Sequence, residues 1–332
     1  MRPIRLLLLT SLVVTSCSKH PVQPAPNPFI FLGGAVGNQA AYWKFQLPLD
    51  NALGTPLPGG TLVTSVALSD TDVYFAGSPG LYWKDGSAVT VPGVSSISGI
   101  AVSGSDVYFC GIDNLANAAY WADGQETNLM STLPNISFSL TVGQIAVSGG
   151  SIFVGASVSF SYGPDTSYYG NSPVYWDNGS LVYLASHGYG GIYYPSFSGI
   201  ALSGSDVYVS GNIDIDADTM AWCGYWKNGG KVTLFNRLGD VYAVTSGIAL
   251  SGEDVYVAGS YIDNGVSSAV YWKDGSMEML PGGLAASAIA VNGSDVYVLG
   301  TNTAGSAVVW KDGAVAATLS SGAVATCMAV GN

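Results

Sequence analysis

The side chains able to do chemistry in this chain are few, and they cluster. Asp214-Ile215-Asp216-Ala217-Asp218 sets carboxylates at alternate positions. In extended backbone alternate residues share a face, so Asp214, Asp216 and Asp218 would converge, and oxygen ligands of this kind suit Ca²⁺. The run lacks the sixth-position glycine and the closing glutamate of an EF-hand loop, so the competing reading is a solvated acidic loop. Calcium is the one cofactor the residues suggest. His20 and His187 are the only histidines, too few for a histidine-based metal site. There is no Gly-x-Ser-x-Gly elbow and no Gly-x-x-x-x-Gly-Lys-Ser/Thr phosphate loop. Asp165 with Asp214 would make a carboxylate pair for glycoside hydrolysis, if the fold set them at the needed separation.

Aromatic side chains are the richer resource. Ser157–Asn171 holds Phe160, Tyr162, Tyr168 and Tyr169, and Ala185–Ser196 holds His187, Tyr189, Tyr193 and Tyr194 among glycines. Tyrosine offers a flat apolar face with a polar tip, suited to a sugar or a protein partner. The alternative is that these rings pack on one another to order their loops. Trp222, the one tryptophan outside the repeat described below, is the candidate for an exposed loop ring.

Composition narrows the partners. The chain has 332 residues, 48% hydrophobic and only 10% charged, with 44 glycines and a net charge of −12. So acidic a chain is no nucleic-acid binder, and it has no basic surface to hold an anionic membrane. Aromatic and aliphatic content excludes disorder.

Met1–Ser16 carries Arg2 and Arg5, then Leu6-Leu7-Leu8-Leu9 and small residues. That is the layout of a secretory signal, too short to span a bilayer. The end of it, Val14-Thr15-Ser16-Cys17, resembles the bacterial lipobox, in which the cysteine is lipidated and becomes the first mature residue. The resemblance implies a lipid anchor on Cys17, and Ser18 in place of Asp implies sorting to the outer membrane. Residues 17–28, with Pro21, Pro24, Pro26 and Pro28, read as an extended tether of ~3.1 Å per residue. Cys110, Cys223 and Cys327 remain, an odd number without a disulfide framework; Cys110 and Cys327 lie in apolar strand patterns, as small core residues do.

Residues 29–332 form one domain made of a repeat. An alanine-centred triplet recurs seven times: Val66-Ala67-Leu68, Ile100-Ala101-Val102, Ile145-Ala146-Val147, Ile200-Ala201-Leu202, Ile248-Ala249-Leu250, Ile289-Ala290-Val291 and Met328-Ala329-Val330. A Ser/Gly/Asp turn follows, then a second apolar run that glycine usually closes. Tryptophan also recurs seven times, at 43, 83, 121, 176, 226, 272 and 310, six times after tyrosine and six times before an Asp-Gly or Asn-Gly pair. Short β-branched and aromatic runs between such pairs are strands joined by hairpins. One copy reads Gly247–Ser251, Asp254–Gly259, Ala269–Lys273 and Ser276–Leu280. Four-stranded units repeated about an axis make a β-propeller, here all-β with seven blades. The N-terminal run Phe29–Gly33 reads as a second strand and the C-terminal triplet as a first strand, so the two would pair in one blade and close the ring without open edges. The recurring Asp72, Asp106, Asp206, Asp254 and Asp295 read as scaffold, bonding the backbone of their turns.

With its Tyr-Trp-Lys-Asp/Asn-Gly repeats, the chain resembles bacterial exported β-propeller lipoproteins. That resemblance implies fold and export and carries no activity. The spacings locate function. Triplet alanine to closing position is always 10 residues and tryptophan to hairpin glycine always 3, whereas the other two connections vary. Both variable connections emerge on one face of a four-stranded meander, and loops on a rigid scaffold carry binding residues. The expectation is an envelope lipoprotein that binds a protein or glycan through this face. The alternatives are an enzyme acting on polysaccharide, with essential carboxylates in the central funnel, and an inert scaffold.

Overall fold

A computed structural model describes residues 27–48, 53–133, 138–162, 168–184, 196–215, 220–236 and 238–331. Its strands form seven four-stranded antiparallel sheets. We number the blades by their repeat tryptophans, Trp43 marking blade 1 and Trp310 blade 7. Each innermost strand packs on the next, and the innermost strand of blade 7 (Gly283–Asn292) packs on that of blade 1 (Ala323–Gly331), which packs on that of blade 2 (Leu62–Leu68). The ring is thereby closed. In blade 1 the C-terminal strand pairs with Phe29–Val36, from Phe29↔Gly331 to Val36↔Ala323. Among the described residues the only helix is one 3-10 turn, Met130–Thr132.

The turns form for local reasons. In six blades the two residues linking strands three and four are Asp/Asn-Gly, both at positive φ, as at Asp85 (49°) and Gly86 (83°). That is the type I′ hairpin whose twist matches the strands it joins. Glycine closes the second strand because the inner strand's backbone crosses it: a Cβ on Gly259 would lie 2.0 Å from the Val244 carbonyl oxygen.

The core is not central but lies in layers between blades. Trp83 of blade 2 packs with Phe31, Ala40 and Leu57 of blade 1, and Trp310 of blade 7 with Tyr256 and Ala258 of blade 6. All seven repeat tryptophans are buried. Several close a layer with the indole N–H, as Trp83 does to the Pro58 carbonyl (2.8 Å) and Trp310 to that of Pro281 (3.1 Å). Truncating such a ring costs about 3–5 kcal/mol.

The strands run longer than the sequence pattern suggests. In blade 6 they extend over Val241–Ser251, Asp254–Asp263 and Val266–Lys273. In blade 4, Ser151–Tyr162 pairs with Tyr168–Asp177 as far as Tyr162↔Tyr168. Most of Ser157–Asn171, expected as a loop, is therefore hairpin. Backbone pairing can continue past the closing position because antiparallel register needs no particular side chain.

Candidate functional site

The two faces of the ring differ in construction. On the face with constant turns, five of the six hairpin Asx residues reach across to cap the start of strand two: Asp85 accepts from the Val73 N–H (3.0 Å), Asn178 from Ile152 (3.0 Å), Asn228 from Val207 (2.8 Å), Asp274 from Val255 (2.9 Å) and Asp312 from Val296 (2.9 Å). The recurring aspartates expected to bond their own turns do something else in four blades. Asp72, Asp206, Asp254 and Asp295 pair with Lys84, Lys227, Lys273 and Lys311 at 2.7–2.9 Å. Each lysine also lies over a tyrosine ring, Tyr74, Tyr208, Tyr256 and Tyr297 respectively. A lysine at the end of strand three faces the start of strand two, so the ion pair outcompetes the turn amides. Lys84 and Lys273 hold the Asp72 and Asp254 carboxyls below their ordinary range; at Asp206 the Asn228 amide contributes most, then Lys227. This face is a repeated scaffold.

The opposite face carries the variable connections. Tyr162, Tyr168 and Tyr169 stand at the end of the long blade-4 hairpin, with Ser161↔Tyr169 in register beside Tyr162↔Tyr168. Asp214 belongs to the second strand of blade 5, opposite Ala221. Asp165, His187, Tyr189, Tyr193, Tyr194, Asp216 and Asp218 lie outside the described residues, as does Cys17. Among the described residues no cluster of three His, Cys, Asp or Glu side chains could hold a metal.

Trp222 corrects one expectation. It is not an exposed loop ring but a strand residue, 4% exposed. Its ring meets Trp226 edge-on at 4.9 Å, its indole N–H donates to Thr233 Oγ1 (2.6 Å), and Lys231 Nζ covers it at 4.4 Å. The outer strand of blade 5 runs for seven residues, Gly230–Asn236, and reaches it, with Trp222↔Asn236 in register.

The central channel holds residues that sequence reasoning passed over. In every blade the inner strand carries a β-bulge three residues before the triplet alanine, at Thr64, Ser98, Gly143, Ser198, Ser246, Ser287 and Thr326. A bulge re-aims one side chain out of the ladder, and at three of these positions the re-aimed hydroxyl staples its blade to the next. Thr64 Oγ1 lies 3.1 Å from the Ala76 carbonyl of its own blade and 2.6 Å from that of Ile97 in the next. Thr326 does the same with Gly33 (3.1 Å) and Val63 (2.5 Å). Ser198 Oγ lies 2.8 Å from Thr245 Oγ1 of the next blade. Gly143 is the exception because Phe197 fills the space: an added Cβ would meet its ring at 2.2 Å. The signal was legible as Ser or Thr at a fixed distance before six of the seven triplets.

One residue further on, Ser65 Oγ accepts from the Ile100 N–H and Gln144 Oε1 from that of Ile200, both at 3.2 Å and both in the following blade. These contacts satisfy the edge that inner strands turn to the channel. None of the seven inner strands contains Asp, Glu, Lys, Arg or His. The described channel wall thus offers hydroxyls, an amide and a thiol, and no carboxylate for the hydrolytic alternative.

Cys110, Cys223 and Cys327 are free. Burial pushes all three thiols up to about 12; Cys110 and Cys223 are inert packing groups, whereas Cys327 is only half-buried and lines the channel.

No protein-family model matches the chain, and no curated protein does. Its likeness is to solved β-propellers. The propeller domain of the trilobed protease from Pyrococcus furiosus, described as having an open velcro topology, superposes with a TM-score of 0.50 at 11% identity, over 87% of this chain and 94% of that one. Apo AztD from Citrobacter koseri gives 0.42 at 12%, covering 92% and 99%. Oligopeptidase B from Trypanosoma brucei gives 0.44 at 12%, covering 87% of this chain and 48% of that one; the chain thus spans about half the length of that enzyme. At 11% identity the likeness to the Pyrococcus domain bears on fold alone, and with the seven four-stranded sheets it defines the class: the chain is a seven-bladed β-propeller.

Proposed function

We propose that this propeller is an exported, lipid-anchored binding module of the bacterial cell envelope that holds a protein or glycan on its variable face. One observation carries the reading. Six of the seven blades share two-residue hairpins on one face, blade 1 alone joining its third and fourth strands there by a longer connection over residues 46–54, while on the other face the connection length changes from blade to blade. A rigid frame with one diversified face is the arrangement binding proteins use.

Topology supports the orientation this needs. The second strand of blade 1 begins at Phe29 on the constant face, and the chain just before it is tied there: Asn27 Nδ2 donates to the Leu47 carbonyl (2.9 Å), and Gln46 Nε2 to the Asn27 carbonyl. A lipid on Cys17 would therefore draw the constant face toward the bilayer and leave the variable face pointing away. Among the described residues no helix is long and apolar enough to cross a membrane.

The test is capture from envelope extract together with a glycan array. The protein is compared with a variant carrying Tyr168, Tyr169, Tyr193 and Tyr194 changed to Ser. Capture by the parent alone is the expected result; equal capture, or none by either, overturns the tyrosine-face reading and leaves an inert scaffold. Detergent-phase partitioning lost in Cys17→Ser tests the anchor separately.

A further inference from the structure

We propose a second, independent site: the central channel takes a small neutral polyol or the end of a sugar ring, recognised through its oxygen atoms. A cavity of about 120 Å³ opens in the channel wall, lined by inner-strand residues of blades 6, 7, 1 and 2 with Gln144 from blade 4. At ~30 Å³ per water molecule in the liquid, that is room for about four water-sized groups, so the cavity takes one edge of a small polyol or hexose and the rest of the molecule stands in the channel.

The cavity lies where the blade-to-blade stapling lapses. Thr64, Ser198 and Thr326 hydroxyls reach the next blade, but Ser246 Oγ is buried in this wall with no hydrogen-bond partner. A buried donor left unmade is costly, so the site gains from any acceptor placed against it. The second lapse concerns the capping position that Ser65 and Gln144 occupy. There blades 6, 7 and 1 have Gly247, Ala288 and Cys327, which carry no oxygen to offer Ile289, Met328 and Val66 of the following blades. The gap is also wider. A Cβ built on Gly99 or Gly199 would meet the next blade at 2.9 and 3.1 Å, whereas one on Gly247 meets nothing nearer than 3.8 Å. Gln144 spends its side-chain oxygen on Ile200, and its amide nitrogen is left as a further donor. The wall is therefore rich in donors and free of charge. An anion would find no counter-charge there and would approach against the net charge of −12; a neutral hydroxylated molecule meets neither obstacle.

Calorimetric titration and saturation-transfer NMR of the full chain with erythritol, D-glucose, D-galactose and maltotriose test this, with D-glucuronate as the charged control. Neutral probes should bind, glucuronate should bind at least tenfold more weakly, and Ser246→Val and Gln144→Leu should each weaken binding about tenfold, the first with unchanged Tm and the second with a lowered Tm because the Ile200 N–H loses its acceptor. Should Ser246→Val fail to fold, Ser246→Ala replaces it. Binding of maltotriose as well as glucose points to a chain end, of glucose without maltotriose to a free sugar; both support the site. No binding by any neutral probe, equal binding of glucuronate, or equal binding by both variants overturns it. The tyrosine-to-serine variant should bind these probes as the parent does, so failure here leaves the variable-face reading to stand or fall on its own capture experiment.

Discussion

Two glycines of blade 6 should respond to alanine in opposite ways. At Gly259 an added Cβ would lie 2.0 Å from the Val244 carbonyl oxygen and 3.0 Å from the Trp272 ring. The first of these atoms is backbone held in the ladder that pairs Thr245 with Gly259, so relief requires the strands to part by about 1 Å. Overpacking of this kind costs about 1–3 kcal/mol, and a ladder bond weakened with it adds about 1 kcal/mol. We expect Gly259→Ala to lose about 3 kcal/mol, near 6 °C in Tm at about 2 °C per kcal/mol for a domain of this size. At Gly247 the nearest atom is 3.8 Å away, and alanine there restricts the unfolded chain, worth about 0.4–1 kcal/mol of stabilisation. Calorimetry or guanidinium titration reads both. If Gly259→Ala loses less than about 1 kcal/mol, the crossing of inner and second strands is not what requires glycine; if Gly247→Ala loses stability as Gly259→Ala does, the wide gap at blade 6 on which the channel site rests is not real.

Two further outcomes follow from the titrating groups. Asp72, Asp206 and Asp254 have folded values below the ordinary 3.8, so their stabilisation is present above that pH and is lost as pH falls through the folded values; Lys84, Lys227 and Lys273 are raised above 10.5, so theirs is present below that pH and lost as pH rises past it. Tm should thus fall below about pH 4, and fall less steeply in a variant with these three lysines changed to Met; parent-like acid sensitivity in that variant would refute the pairing as its source. The thiols are pushed up to about 12 by burial, so native Cys17→Ser protein should expose at most one of them, Cys327 of the channel wall, to a thiol dye at pH 8 and all three in guanidinium, whereas rapid labelling of two or more in the native state contradicts the burial.

The sequence by itself determined the number of blades, the order of strands, the hairpin type and the closure of blade 1. These rest on local chemistry: Asp-Gly and Asn-Gly at positive φ, apolar runs of fixed spacing, and a tryptophan per repeat large enough to fill each layer. It also showed which face varies, because loop length is a property of the chain. Only the tertiary structure decided the rest. Trp222 is buried because the outer strand of blade 5 extends to it. The repeat aspartates serve lysines 12–21 residues away along the chain. The channel hydroxyls act across blades, Thr64 on Ile97 and Ser198 on Thr245. Such contacts join residues of different blades, and a one-residue bulge, which turns a side chain from its own sheet to its neighbour, shows in the sequence only as a Ser or Thr three residues before a triplet alanine, with nothing there to say which group it reaches.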